Sequence, residues 1–467
     1  MNKKSINKIT LYNILSTIIL QGVALFTSPV FSRMLGTKNY GIVAIYNTWV
    51  SVISIVFGLQ TQSTIAIARN EYSVEEQEKY QSSILALSII SYMLISCVLF
   101  IFINPLSNLI QMQKIMIIIM LMHGLGQFTV TFINIKFTYE FKAEKNFILS
   151  LTITFVSVIL SLILIWKLPH SVNYWGRIIG ISFTYTIVGI ICTISVFARG
   201  RVAFNKKYWT FCIPLALPII FHNLSGLILS QSDRVMLQYS STFSFVGIYS
   251  LAYSFGSIIS TIWNAMNNSW VPFYYELTNR NEIQKMRIYA KNYTELFTVL
   301  CMGFILLTPE VYHLFAGREY WDGTSLITIF AMGFYMIFLY SFHVNYEFYN
   351  KKTVIIAIGT MGAAIINIFL NYILIRKYSI LGAAIATFIS YFIQYVFHII
   401  CTKVIESKVN NKYEISTKTL LPYVVCFYVC SIGCFICQDK FVILRWLIAI
   451  ILGVYEFIRI IKRKSIF

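Results

Sequence analysis

The sequence predicts an all-α polytopic membrane protein of about fourteen transmembrane helices, two six-helix lobes followed by a C-terminal pair. Three observations carry this. About fourteen stretches of roughly twenty mostly apolar residues fill the 467-residue chain, each long enough to cross a hydrocarbon core of about 30 Å at 1.5 Å per residue. Apolar residues make up 58% of the chain and charged residues only 12%, too little polar surface for a soluble protein of this length. Lys and Arg also alternate from loop to loop, so that the side holding both termini collects 26 of the 37 basic residues and the opposite side 11. The positive-inside rule then places both termini in the cytoplasm.

The expected spans run from Ile9 to Leu35, Tyr40 to Ile67, Tyr80 to Ile103, Ile115 to Phe137, Phe147 to Leu168, Trp175 to Phe197 and Tyr208 to Tyr239. The second set runs from Phe243 to Pro272, Tyr289 to Phe315, Ser325 to Tyr349, Thr353 to Ile375, Gly382 to Thr402, Leu420 to Cys437 and Phe441 to Ile461. The first run, behind Lys3, Lys4 and Lys8, is long, continues into Pro29 and Arg33 and lacks a small-residue cleavage site, so it reads as an uncleaved span. No loop exceeds about twenty residues, which leaves no room for a water-exposed catalytic module. The net charge of +19 is scattered over loops such as Arg199 to Lys207 and the tail Arg459 to Lys464. Topogenesis and anionic lipid explain such a pattern, and nucleic acid is not an expected partner. The nine cysteines lie almost entirely in apolar runs. Cys434 and Cys437 formally match a metal or redox pair, but with no second pair they read as small packing residues, and no disulfide is expected.

An internal repeat divides the chain. Ser32-Arg33-Met34-Leu35 followed by Tyr40-Gly41-Ile42 is echoed by Ser232-Asp233-Arg234-Val235-Met236 followed by Val246-Gly247-Ile248-Tyr249. Leu162 to Lys167 with Gly176 parallels Tyr372 to Lys377 with Gly382. Spans 1 to 6 and 7 to 12 thus read as two copies of one six-helix unit, both facing the same way because six is even, as in many secondary transporters. The expected domains are 1–205, 206–410 and a helix pair in 411–467.

Ionisable groups inside spans are costly and mark candidate sites. Arg33 closes span 1 just after Ser28-Pro29, and Asp233 and Arg234 hold the matching place in span 7 behind His222, Asn223, Ser225, Ser230 and Gln231. Adjacent helix residues point about 100° apart, so at least one of Asp233 and Arg234 looks inward, and a helix this polar is expected to line a hydrated cavity. Arg69 ends span 2 after the polar run Gln60 to Thr64, which also suits a cavity wall. For Arg33 the competing reading is a side chain snorkelling to the interface, and for Arg69 a topogenic cation. Asn367 and Asn371 share one helix face and, with Thr387 and Asp233, offer the oxygens a monovalent cation favours. Helix-to-helix hydrogen bonding is the other reading of these residues. His123, His343 and His398 could relay protons, but without a carboxylate close by in their own spans they read rather as packing or hydrogen-bonding residues.

Asn13 through Pro29, Arg33 to Gly36, Tyr40-Gly41, Pro214 and Pro218, Asp233-Arg234, Gly247 to Tyr249, Asn367 and Asn371, and Gly382 to Ala384, taken in order, resemble the Wzx-type polysaccharide repeat-unit flippases of the multidrug/oligosaccharidyl-lipid/polysaccharide (MOP) exporter superfamily. The resemblance covers spans 1 to 12. It implies two lobes around a central cavity, with spans 13 and 14 appended, in the bacterial cytoplasmic (inner) membrane. It further implies a substrate, an undecaprenyl-pyrophosphate-linked oligosaccharide repeat turned from the cytoplasmic to the outer leaflet for a surface polysaccharide such as capsule or O-antigen, with membrane lipids and the polysaccharide polymerase machinery as partners. Under that resemblance Arg33, Arg69 and Arg234 hold or guide the pyrophosphate, whose oxygens suit arginine. Asp233, Asn367, Asn371 and Thr387 fall at places resembling the sodium site of some lipid II flippases. With asparagine at both span 11 positions the coupling ion stays open between Na⁺ and H⁺, and no other cofactor is expected. A lipid II flippase and a MATE-like drug exporter are the alternative readings; an enzyme is not expected, because no large external loop exists to meet an acceptor.

Overall fold

A computed structural model describes residues 3–409, 412–415, 417–437 and 440–463, and every regular element among them is a helix. In chain order these are α1 (Lys3–Phe57), α2 (Ile65–Glu71), α3 (Val74–Ile101), α4 (Ile103–Ile110), α5 (Lys114–Tyr139), α6 (Ala143–Lys167) and α7 (Tyr174–Gly200). There follow α8 (Lys206–Ser240), α9 (Phe243–Asn279), α10 (Ile283–Phe315), α11 (Thr324–Tyr349), α12 (Thr353–Glu406), α13 (Thr417–Ile436) and α14 (Val442–Arg463). Eleven of the described helices are long and apolar enough to cross a membrane, and the protein is a multi-pass membrane protein.

Two of these helices are too long for one crossing. A straight helix of 55 or 54 residues, the lengths of α1 and α12, would rise about 80 Å, more than twice a hydrocarbon core. Each therefore breaks. In α1 the break is Gly36, at φ 72° and ψ 169°, a conformation that a residue without Cβ adopts at little cost. About two turns earlier Pro29 interrupts the backbone ladder, and Ser32 Oγ donates to the Pro29 carbonyl at 2.8 Å. In α12 the break is Ser379, at φ 50° and ψ −128°. With these two breaks the fourteen expected spans map onto the helices in order. The helices extend beyond the expected spans at several ends, as at the start of α3, where Ser73 and Glu76 close a reciprocal capping box.

The chain forms two compact units, Met1–Leu35 with Asn39–Leu227 and Gly36–Lys38 with Ile228–Phe467, so the division falls inside α8. In the first unit α7 packs against α3, α5 and α6. Lipid gives helices no hydrophobic reason to associate, so backbones must approach closely for dispersion to hold them. A Cβ on Gly126 of α5 would lie 2.4 Å from the Tyr185 carbonyl oxygen of α7, and one on Gly189 would lie 2.7 Å from Gly126 Cα. Close to that crossing Tyr80, Phe128, Phe132 and Tyr208 pack in a buried core. Lys136 is buried at the end of α5, 2.5 Å from Glu78 and 3.4 Å from Glu140.

In the second unit α11 packs against α9, α10, α12 and α13. Stacked rings fill the joints, Trp270 on Tyr293 at 5.1 Å and Tyr335 on Phe427 at 4.0 Å. The last helix, α14, is more charged than the eleven. Its charges face α10: Arg459 lies 2.5 Å from Glu295, and Arg445 pairs with both oxygens of Glu310 while donating to the Leu306 carbonyl at 3.0 Å. Its other faces present Ile443, Leu447, Ile451 and Phe457, all exposed.

Both units contain one identical clamp. A Cβ on Gly176 would fall 2.5 Å from Ile165 N and 2.8 Å from Leu164 C, and a Cβ on Gly382 would fall 2.4 Å from Leu374 C and 3.0 Å from Ile375 N. These are the residues of the second sequence echo. In each unit a glycine lets one stretch of helix, α7 or the second half of α12, lie against the backbone of the stretch before it.

Candidate functional site

Asp233 is fully buried in the C-terminal third of α8. Three neutral donors from three further stretches of helix fill its carboxylate. Tyr249 of α9 donates its hydroxyl to Oδ2, Thr387 of the second half of α12 donates to Oδ2 at 2.8 Å, and Asn371 of the first half of α12 donates Nδ2 to Oδ1. Asn371 Nδ2 also donates to Asn367 Oδ1 at 3.0 Å, which accepts from Ser232 Oγ at 2.9 Å. The α12 break at Ser379 is what brings Asn371 and Thr387 to one carboxylate, because it folds the two halves of that helix side by side. All four residues expected to form an ion site, Asp233, Asn367, Asn371 and Thr387, therefore meet in one cluster.

Two atoms in this cluster have no hydrogen-bond partner among the described residues, Asn371 Oδ1 and Asn367 Nδ2. Turning the Asn371 amide over would replace a donor by an acceptor toward Asp233, an exchange that ordinary side-chain data do not distinguish. In that orientation two carboxylate oxygens, Thr387 Oγ1 and Asn371 Oδ1 form an all-oxygen set for a hard monovalent cation. In the described orientation the set serves a proton instead, since either hydroxyl can rotate to accept from a carboxylic acid. Among the described residues no cluster of His, Cys, Asp and Glu suits a transition metal.

The arginines are dispersed. Arg234 is half-buried beside the cluster, its guanidinium 4.9 Å from the Tyr253 ring centre, and it joins no ion pair among the described residues. Arg33 is exposed in the last turn before Gly36, and Arg69 is exposed at the end of α2, 4.7 Å from the Phe141 ring centre. The second half of α1 separates these two by about 30 Å of helical rise, so they stand at opposite ends of the first unit. The polar run before Arg69 is packing, not wall: Thr61 bonds Ser88 at 2.6 Å, Thr64 bonds Tyr80 at 2.6 Å, and Gln60 accepts from Gln62 at 2.9 Å and Asn223 at 2.8 Å.

Several charged residues in spans escape a reading along the chain. Arg177, in the first turn of α7, lies 3.8 Å from the ring centre of Phe31, two residues from Arg33, and donates to Ser161 Oγ at 3.1 Å. Counting it with the preceding loop hides it, although an arginine inside the run Trp175 to Phe197 was the available signal. Glu347 pairs with His398, both fully buried, with Nδ1 at 2.9 Å from each carboxylate oxygen. His343 bonds Thr402 at 3.0 Å, and His123 lies 3.2 Å from the Tyr46 hydroxyl, which bonds Ser182 at 2.7 Å. His398 thus has the carboxylate that its own span lacks.

The family model described as polysaccharide biosynthesis protein matches residues 6–278, more than half of the chain. The chain belongs to this family. This polysaccharide biosynthesis protein is 22% identical over 387 residues to an "Uncharacterized membrane protein" of Haemophilus influenzae, covering 76% of its own length and 88% of the relative. Its fold is that of the MOP transporters. It is similar to the structure "Lipid II flippase MurJ, inward closed conformation", with a TM-score of 0.72 at 16% identity over 96% of this chain and 98% of that one. It is also similar to an inward-facing MATE-family multidrug transporter of the MOP superfamily, with a TM-score of 0.61 at 12% identity over 83% and 96% of the two chains.

Proposed function

We propose that this polysaccharide biosynthesis protein is a flippase of the bacterial inner membrane that turns undecaprenyl-pyrophosphate-linked oligosaccharide repeats from the cytoplasmic to the outer leaflet, driven by an ion bound at Asp233. Both termini are cytoplasmic in this reading, in keeping with the excess of Lys and Arg on their side. The observation that carries it, beside the family, is the fully buried Asp233 cluster. A carboxylate at that depth is too costly to keep as mere packing, and its neutral partners leave its charge free to be cancelled by a proton or Na⁺. Binding then couples to helix rearrangement, because the four residues come from α8 and both halves of α12, and Tyr249 adds α9.

Arg33, Arg69 and Arg234 are the proposed contacts of the pyrophosphate. Arg33 and Arg69 are too far apart to hold one pyrophosphate together, so they act at successive stages of its passage, with guanidinium forks matching phosphate oxygens at each. The prenyl chain stays in lipid, where each buried methylene is worth about 0.8 kcal/mol.

The test is the leaflet distribution of undecaprenyl-linked intermediates in a strain deleted for this gene and in the same strain rescued with it. Complete repeats trapped on the cytoplasmic leaflet and released by rescue are the expected result. Trapped lipid II would instead assign the protein to peptidoglycan precursors, the reading that the likeness to the MurJ structure favours. Normal delivery of both lipids to the outer leaflet would overturn the flippase reading.

A further inference from the structure

The second half of α12 presents a buried polar column. Thr387, Ser390, Tyr391, Gln394, His398 and Thr402 follow at helical spacing and are all buried. Thr387 and His398 are eleven residues apart, three full turns to within about 20° and about 16 Å along the axis. The column therefore begins on Asp233 and ends on Glu347. Its middle is joined by rings: Tyr253 and Tyr391 both pack against Phe334, with ring centres 5.7 and 6.2 Å away, and Tyr340 stacks on His398 at 5.4 Å.

At the far end His398 Nδ1 lies 2.9 Å from both oxygens of Glu347, so Nδ1 carries the hydrogen and donates it. Nε2 then keeps a lone pair. That atom is buried with no hydrogen-bond partner among the described residues, and the neighbour facing it is Gly359, where a Cβ would approach to 2.7 Å. The titratable groups around the pair are Tyr340 and His343 of α11, Cys401 of α12 and, against His343, Tyr413. Among the described residues neither Glu347 nor His398 has any other ion-pair partner. A pair used only to fasten α11 to α12 gains little from ionisable groups, since apolar side chains of the same volume pack at least as well.

We infer that the Glu347–His398 pair is a second proton-binding site of this protein, set on one polar column with Asp233. The proton binds the free electron pair of His398 Nε2; the imidazole becomes imidazolium, and the pair passes from a net charge of −1 to zero, with Glu347 as the counter-ion. This deepens the proposed ion coupling, since a proton here and the charge on Asp233 sense one another along the column. Binding at the pair does not itself depend on which glycolipid is carried.

The experiment is a pH titration of the full-length protein in lipid with ¹⁵N-labelled histidine rings, followed by solid-state NMR. His398→Asn assigns the signal and keeps an amide donor toward Glu347. The expected result is a ring signal that takes up a proton as the pH is lowered and is missing in H398N. Glu347→Gln, which removes the counter-ion, should move that titration to lower pH by more than about one unit. Asp233→Asn should move it down by about half a unit to one unit, the Coulomb effect of one charge at this distance in protein. A wild-type spectrum in which the signal lost in H398N never titrates overturns the site, as does a titration unmoved by E347Q. If H398N fails to fold, the wild-type and E347Q titrations alone decide it. Failure of the glycolipid assay leaves these spectra unchanged, so the two readings fail separately.

Discussion

Asp233 holds its place by accepting hydrogen bonds, and the consequence of changing it follows from donor counting. Asp233→Ala leaves Tyr249 without an acceptor, while Thr387 keeps the Ala383 carbonyl and Asn371 keeps Asn367 Oδ1, and it should cost about 2–3 kcal/mol, given the penalty of a buried unmade bond and the loss of two others. Asp233→Asn keeps an oxygen for the two hydroxyls, while its new amide meets an Asn371 that can turn its own oxygen toward it. This should cost about 1 kcal/mol. Melting in detergent should therefore fall in the order wild type, Asn, Ala, and both variants should lose glycan export; an Ala variant as stable as Asn would contradict the described hydrogen bonds. The residues of this cluster were legible in the sequence because a carboxylate and two asparagines one turn apart stand out in an apolar run. The pairing of His398, singled out as a histidine, with Glu347 was not, since the two lie 51 residues apart. The same holds for Glu295 and Glu310 on α10, which find their arginines on α14.

At the scale of helices, hydrophobic periodicity placed the fourteen expected spans on helices in order, since hydrophobic length is a local property. Breaks are local too, and Gly36 falls between the first two expected spans. Ser379 is different, because nothing in its residue type announces a left-handed φ, and its backbone is imposed by the close approach of Gly382 to Leu374. Gly382→Ala should accordingly lower stability by about 1–3 kcal/mol, the usual cost of overpacking, as its Cβ would meet backbone, which cannot swing aside. Gly362 lies in the first half of the same helix with no atom within 4 Å of a built Cβ. Gly362→Ala should be neutral or stabilising by up to about 1 kcal/mol. Paired melting curves check both, and equal effects would contradict the clamp.

For the molecule as a whole, the notable balance is between apolar surface offered to lipid and charge hidden from it. The last helix joins α10 through Arg445–Glu310 and Arg459–Glu295, and the latter pair is almost fully buried. Removing one partner of a buried pair costs about 3–5 kcal/mol. Arg459→Ala strips Glu295 and the buried Glu456 of their shared cation and should destabilise by at least that order, and the triple variant E295A/E456A/R459A should recover part of the loss, as read from melting temperatures; a triple variant worse than the sum of the singles would contradict direct pairing. The same arrangement bears on how the protein is made. The carboxylates of α10 enter the bilayer well over a hundred residues before the arginines of α14 leave the ribosome, so throughout that interval the growing chain is an unfinished product that advertises its own incompleteness. Only the final helix silences that signal, and a chain cut short anywhere before it would remain recognisable to the machinery that clears defective membrane proteins.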